Sequence, residues 1–417
     1  MVPRLTNSVR GPALALEQHE QQQQNVLRTL LIDRVCARRL GGETGLRVNR
    51  VGLRRRKPRA SSEEEITEAD LSVCQPELGR VEEMEESTGG SRNMVANGFK
   101  DEEEEDEELS SELIFLGSGS STGVPSPLCL LRPADPPCHV CHSAMEGPPE
   151  INKNYRCNPS LLINYKHEDG SRRYIQIDAG KNFKEQVLRW FLIHKVPRLD
   201  ALLLTHEHAD AMLGLDDIRG VQNYNSMNDI AAMPVFVSQH TMDSVNAKFP
   251  YLVEKTLKEG QEVRRVAQLD WRVIDTSCSA LFDAVGLEIT PLPVMHGEDY
   301  LSLGFLFGKK HRVAYISDVS RIPETTEQVI SAAGDLGPVD ILILDSLYKS
   351  GPHNTHFCYE DSLAAVKRLR PRRAFFVGMT HEFEHERDNA ELAEWSQREG
   401  IEVQLAYDGM RIPVCLG

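Results

Sequence analysis

Residues 202–219, LLLTHEHADAMLGLDDIR, hold the densest set of groups able to do chemistry in this chain. Three leucines make an unbroken apolar run, the pattern of a short strand covered on both faces. The run ends in His206, Glu207, His208 and Asp210. Alternate side chains on extended backbone share one side, so His206 and His208 project together, and Asp210 joins them if the chain begins to turn. Two imidazoles and a carboxylate at the end of a buried strand form a ligand set for zinc or a similar divalent ion. Taken alone, such a cluster could equally be the polar tip of a surface loop. Three more strand-like segments end the same way, however: LEITPLPVM in His296, RVAYIS in Asp318 and RAFFVGMT in His381. Ligands delivered repeatedly to strand ends predict a metal centre. Two ions sharing one ionised water suit in-line attack on a phosphodiester. They equally suit a thioester, lactone or lactam, so the ligands do not choose the substrate.

A second group is sulfur-based. Cys138 and Cys141 stand in a CxxC pair, with Cys129 upstream. Thiolates at this spacing suit one tetrahedral zinc, the remaining ligand coming from far along the chain. A redox dithiol is the competing idea, but the Pro-rich surroundings are not the strand-to-helix context that motif requires. A separate structural Zn2+ is therefore expected.

Elements that would position these groups begin at about Glu112 with ELIFLG, followed by the small-residue loop GSGSSTGVPS. That loop lacks the GKS or GKT ending of a phosphate-cradling P-loop. SLLINY, YIQIDAG, the segment before His206, PVFVS, LSLGFLF, DILILD and YDGMRI read as further strands; 183–195 and FCYEDSLAAVKRL read as helices. Strands and helices without a repeat of fixed period suggest two sheets between helical layers.

Residues 1–111 read as a disordered charged extension, with 112–417 as the folded domain. The extension has a Gln run at 21–24, a basic block at 54–57, a helix-like spacing over 26–38 and an acidic run at 101–108. The formal net charge of −16 is therefore unevenly spread. No apolar run is long enough to span a membrane. Nine scattered cysteines favour a reducing compartment, and a cytoplasmic location is expected. The Arg-rich, acid-poor start leaves an organelle matrix or stroma, or the nucleus, as alternatives.

The HxHxD motif after a buried strand resembles the metallo-β-lactamase superfamily, whose signature is HxHxDH; here Ala211 stands at the last histidine. The resemblance implies the αβ/βα sandwich over 112–417. It implies that His206, His208 and His296 bind one metal, that Asp318 bridges, and that Asp210 and His381 hold a second, weakened ion. Three consequences of Ala211 stay open: water fills the gap, a harder ion such as Mn2+ replaces Zn2+ there, or Asp216 or Asp217 reaches back. FLGSGS leading into GVP resembles the first-strand motif of the phosphodiesterase and tRNA 3′-processing branches, and the GVPS loop followed by the cysteine group resembles the phosphodiesterases that open phosphoribosyl cyclic phosphate in phosphonate breakdown. That branch holds an extra zinc with three cysteines and a histidine, which implies Cys129, Cys138, Cys141 and His385, with Cys157 in reserve. His356 in NTHFCYEDS matches a histidine that contacts the phosphate and assists the leaving oxygen. Asp210 and His356 are thus the expected catalytic residues, and Asp178 and Ser317 supports. The expected substrate is a small, perhaps cyclic, phosphodiester. A tRNA 3′-processing role is less favoured, because 112–417 contains no clear basic exosite arm for nucleic acid. A binding protein that has lost catalysis is the non-enzyme alternative, supported only by Ala211.

Overall fold

A computed structural model describes residues 110–224, 229–254, 266–331 and 337–417. The Gln run, the basic block, the helix expected over 26–38 and the acidic run lie outside the described residues. Two seven-stranded sheets face one another. The first contains β1 (Ser111–Gly117), β2 (Ser160–Lys166), β3 (Arg172–Ile177), β4 (Ala201–Leu203), β5 (Met233–Val237) and β6 (Leu269–Val273) in that order. The second runs from β7 (Phe282–Ala284) through β8 (Leu287–Met295), β9 (Leu301–Phe307), β10 (Val313–Ile316), β11 (Ile341–Asp345) and β12 (Arg373–Val377) to β13 (Glu402–Leu405). β14 (Arg411–Val414) returns to the first sheet and pairs antiparallel with β1, Ser111 opposite Val414.

Strand sequences are apolar on consecutive positions because both faces of each sheet are covered. In β1, Leu113 and Phe115 enter the layer between the sheets, where they meet Ile163, Phe305, Tyr315, Ile343 and Phe375. Ile114 and Leu116 point the other way, toward Phe183, Trp190 and Leu215 of the outer helical layer. Behind the second sheet, Leu342, Leu344 and Phe376 pack on Leu363, Val366, Leu392 and Trp395. The αβ/βα layering expected from the sequence is therefore present. Among the described residues, no helix is long and apolar enough to cross a membrane.

The helices that matter for the site are α1 (His139–Ser143), α2 (Ala209–Met212), α3 (Gln239–Lys248), α4 (Tyr359–Leu369) and α5 (His385–Glu399). α2 is a single turn that begins at His208, and it supplies the bend that the HxHxD motif needs. The helix expected over 183–195 splits into an α-turn, Phe183–Gln186, and a π-turn, Val187–Phe191. That expected from Gly214 onward is a 3-10 helix, Leu215–Val221. Strands β3 to β6 run parallel to one another, as do strands β10 to β13, so within each run the carboxyl ends lie side by side, the usual location of sites in such sheets.

Candidate metal centre

His206 leaves β4 and is buried. Its neighbour Thr205 gives its hydroxyl hydrogen to Asp178 Oδ2 at 2.8 Å and faces His206 Nδ1 at 2.8 Å. A hydroxyl that donates to the carboxylate must accept from the ring, which places the imidazole proton on Nδ1. Nε2 then carries the free lone pair, and it is buried with no hydrogen-bond partner. Asp178 also accepts the Thr205 N–H, and it sits at φ +62°, a conformation aspartate tolerates better than most residues. His296, at the end of β8, gives its Nδ1 hydrogen to the Thr355 carbonyl at 2.7 Å, which likewise frees Nε2. His208 Nδ1 lies 3.3 Å from His296 Nε2.

One nitrogen from each of these three rings falls within a common 4.8 Å. Two nitrogens on a tetrahedral zinc stand roughly 3.3 Å apart, given Zn–N bonds near 2.0–2.1 Å. The observed spacing and the orphaned Nε2 therefore fit a divalent ion. Burial holds His206 down at about 4 and also lowers His296, so both rings stay neutral and able to ligate at ordinary pH.

Asp318 follows β10 and groups with His296 and His356. Burial would raise its carboxyl, but His206, His356 and His296 together hold it below the usual range. Asp210 is also buried; burial and then repulsion from Asp318 raise it to about 6. Gly180 makes this packing possible, since a Cβ there would stand 1.8 Å from the Asp210 carbonyl oxygen. His356 Nδ1 donates to Asp345 Oδ2 at 2.7 Å and lies 3.9 Å from Asp318 Oδ1. Burial alone would lower this imidazole, yet Asp345, Asp318 and Asp210 outweigh it and raise it to about 9.

Asp345 was not singled out by sequence, although it ends β11 as Asp318 follows β10. Its Oδ2 also accepts the Val319 N–H, so one buried carboxylate fixes both His356 and the chain after Asp318. The Ala211 methyl is buried and adds no ligand. Asp216 and Asp217 are exposed, and Asp216 accepts from Tyr251, so the sequence idea that they reach back is not realised.

The structure corrects the expected division of labour between His381 and His385. His381 Nδ1 lies 3.4 Å from Cys129 Sγ and 3.2 Å from Cys138 Sγ, and it completes a four-ligand group with Cys141. Sulfur and nitrogen on a tetrahedral zinc stand roughly 3.5 Å apart, given bonds near 2.3 and 2.0 Å. The donor set and its spacing fit a structural zinc. Burial, with the neighbouring thiols Cys138 and Cys129, raises Cys141 to about 12 without a metal; a cation would reverse this. His385 instead starts α5, where its Nε2 accepts from Asn389 at 2.9 Å and its ring packs edge-on against Tyr407. The tight turn through 380–384 separates the two histidines, and spacing along the chain did not reveal which would face the thiols. Cys157, the reserve ligand, is buried in another setting, its N–H bound to Asp408.

Comparison with known proteins bears on the domain that carries these residues. A model of the Beta-lactamase superfamily domain matches residues 173–379, which contain the HxHxD motif, His296, Asp318, Asp345 and His356. The chain belongs to the metallo-β-lactamase superfamily. Among solved members of similar fold is a new diphosphatase from the PhnP family, 28% identical, with a TM-score of 0.57 over 74% of this chain and 100% of that one. Zn2+-bound PqqB from Methylobacterium extorquens is 18% identical, with a TM-score of 0.52 over 73% of this chain and 100% of that one. An octanoyltransferase of Porphyromonas gingivalis is 26% identical over 302 residues, 72% of this chain. The chain spans only about half that relative, 52% of its length. Members of this superfamily are largely hydrolytic, which supports a hydrolase.

Proposed function

We propose that this superfamily member is a metal-dependent phosphodiesterase acting on a small, possibly cyclic, phosphodiester. The observation that carries the proposal is the arrangement of His356: an imidazole kept cationic by Asp345, beside Asp318 and the three-histidine cluster. Support comes also from the similarity to a structure described as a diphosphatase.

His206, His208 and His296 would hold the ion, with Asp318 and Asp210 as carboxylate ligands. A divalent ion so held supplies Lewis acidity and makes water nucleophilic near neutral pH. Asp210 takes the proton from the attacking water as its oxygen bonds to phosphorus. The bond from phosphorus to the leaving oxygen breaks, and His356 gives that oxygen its proton. Asp345 keeps His356 charged until then, and its fixed carboxylate orients the ring. With His381 drawn to the cysteines, Ala211 at the signature position and His356 held as an imidazolium, a second ion would have only carboxylates and water to meet. Zn2+ is proposed for the first position, and Zn2+ or Mn2+ for any second.

The test is hydrolysis of bis-p-nitrophenyl phosphate and of a 1,2-cyclic ribosyl phosphate by Zn2+- and Mn2+-loaded protein. Asp318→Ala should abolish turnover of both while the cysteine-bound zinc remains. No turnover by wild type with either metal would defeat the proposal. A second reading, hydrolysis of an acyl ester or thioester, draws on the octanoyltransferase relative. Turnover of an octanoyl thioester with none of the phosphodiesters would favour it.

A further inference from the structure

His206 and His296 each hand a ring hydrogen to a fixed oxygen acceptor, and that bond sets their orientation. His208 is different. It is the exposed member of the three, and among the described residues its ring meets another ligand, His296, rather than an oxygen acceptor. Its ring lies nearly parallel to that of Tyr300, at 10° and 5.2 Å between centroids, the geometry of offset stacking.

Tyr300 is itself held from three sides. Its hydroxyl donates to Glu207 Oε2, on the residue between the two histidines of the motif. Its carbonyl accepts the His296 N–H at 2.9 Å. Its ring stands edge-on to His240 of α3, whose Nε2 lies 3.1 Å from Glu207 Oε1. Glu207 points away from the ligands because side chains alternate, and its carboxylate is only 13% exposed. Lys248 of α3 binds the Glu207 carbonyl. The x of HxHxD is thus used to fasten the ring that lies on the second histidine.

We propose that Tyr300, tethered by Glu207, is a positioning residue for the metal ligand His208, and that ring stacking takes the place of the missing acceptor. The proposal rests on the metal-centre assignment above. Stacking fixes the rotation of the His208 ring about Cβ–Cγ, and so holds Nδ1 toward the cluster. Free rotation would present Nε2 or carbon instead and cost affinity.

The experiment measures Co2+ and Zn2+ binding to the full chain by competition with a chromophoric chelator. Visible Co2+ spectra distinguish thiolate from imidazole coordination. His208→Ala sets the scale. Tyr300→Leu should weaken the imidazole-bound ion by roughly 10–100-fold, as loss of an orienting partner does elsewhere. The thiolate spectrum should be unchanged, which reports an intact fold. Tyr300→Phe keeps the ring and loses the tether, so a smaller loss is expected. Glu207→Gln still offers an acceptor oxygen and should restore near-wild-type affinity. Wild-type affinity in Tyr300→Leu, with weakened binding in His208→Ala, would overturn the clamp and leave the metal centre standing. Unchanged binding in His208→Ala would overturn the metal centre itself. If the leucine variant does not fold, unchanged affinity and spectrum in Tyr300→Phe overturn the tether.

Discussion

Asp345→Asn tests the role of His356 most directly. The carboxylate is wholly buried and accepts from His356 Nδ1 at 2.7 Å. Burial pulls this imidazole down, but Asp345 leads the charges that raise it from 6.5 to about 9. The difference corresponds to about 3 kcal/mol in favour of the imidazolium. Asparagine preserves shape and an acceptor oxygen but removes the charge, so His356 should titrate near its ordinary value. At pH 8 the protonated fraction then falls from about nine-tenths to about one-thirtieth, a loss of about 30-fold in kcat/KM; at pH 6 most rings stay protonated in both proteins, and rates should differ only a few-fold. The sign follows from the role: an acid is competent below its pKa, so activity is lost as pH rises through it. The alkaline limb therefore moves from about 9 toward 6.5. A bound cation lowers both limbs together, so the decisive quantity is their separation. The assay is a pH series on a phosphodiester with an alkoxide leaving group, which needs the proton, beside an aryl ester, which needs it less. A uniform fall across pH, equal for both leaving groups, would refute the acid role.

His381→Ala should lose the cysteine-bound zinc, whereas His385→Asn should keep it; metal content per chain by plasma mass spectrometry decides between the two. His385 also gives a pH signature in stability. Burial first, then Arg156 and Lys153, depress its imidazole to about 4. Its contribution is therefore complete above about 6.5 and lost as pH falls toward 4, in total about 3 kcal/mol, so denaturant melts of His385→Asn should show a flatter acid limb than wild type. Gly180→Ala drives a methyl into the Asp210 carbonyl and should displace α2, reducing active-site metal affinity at least about tenfold in the same chelator competition.

Much of this arrangement was legible in the sequence because it rests on simple periodicities. Alternation along 202–208 placed His206 and His208 on one side, and apolar strands ending in His296 and Asp318 gave further members of the site. The two-sheet sandwich followed from strand-like and helix-like segments that intermix without a fixed repeat, and its αβ/βα layering from the resemblance carried by the HxHxD motif. β6 was missed because its outer residues are half exposed and its pattern is weak. Asp345 and Tyr300 escaped for a different reason: their roles depend on partners 11 and 93 residues away, His356 and Glu207. The assignment of His381 failed similarly. Its strand-end position matched the other ligands, but the turn after β12 aims it at thiols from the start of the domain.

That contact between Cys138 and His381 spans 243 residues. At about 5–20 residues per second, the cysteines leave the ribosome roughly 10–50 s before their histidine partner exists. For that interval the nascent chain carries three thiols without the fourth donor, open to oxidation or to capture of metal with an incomplete set. Once His381 arrives, its joining closes a very long loop, which removes far more freedom from an unfolded chain than a local CxxC clip can. A metal held by this set would therefore make metal supply during synthesis a determinant of yield, separate from any need for metal in turnover.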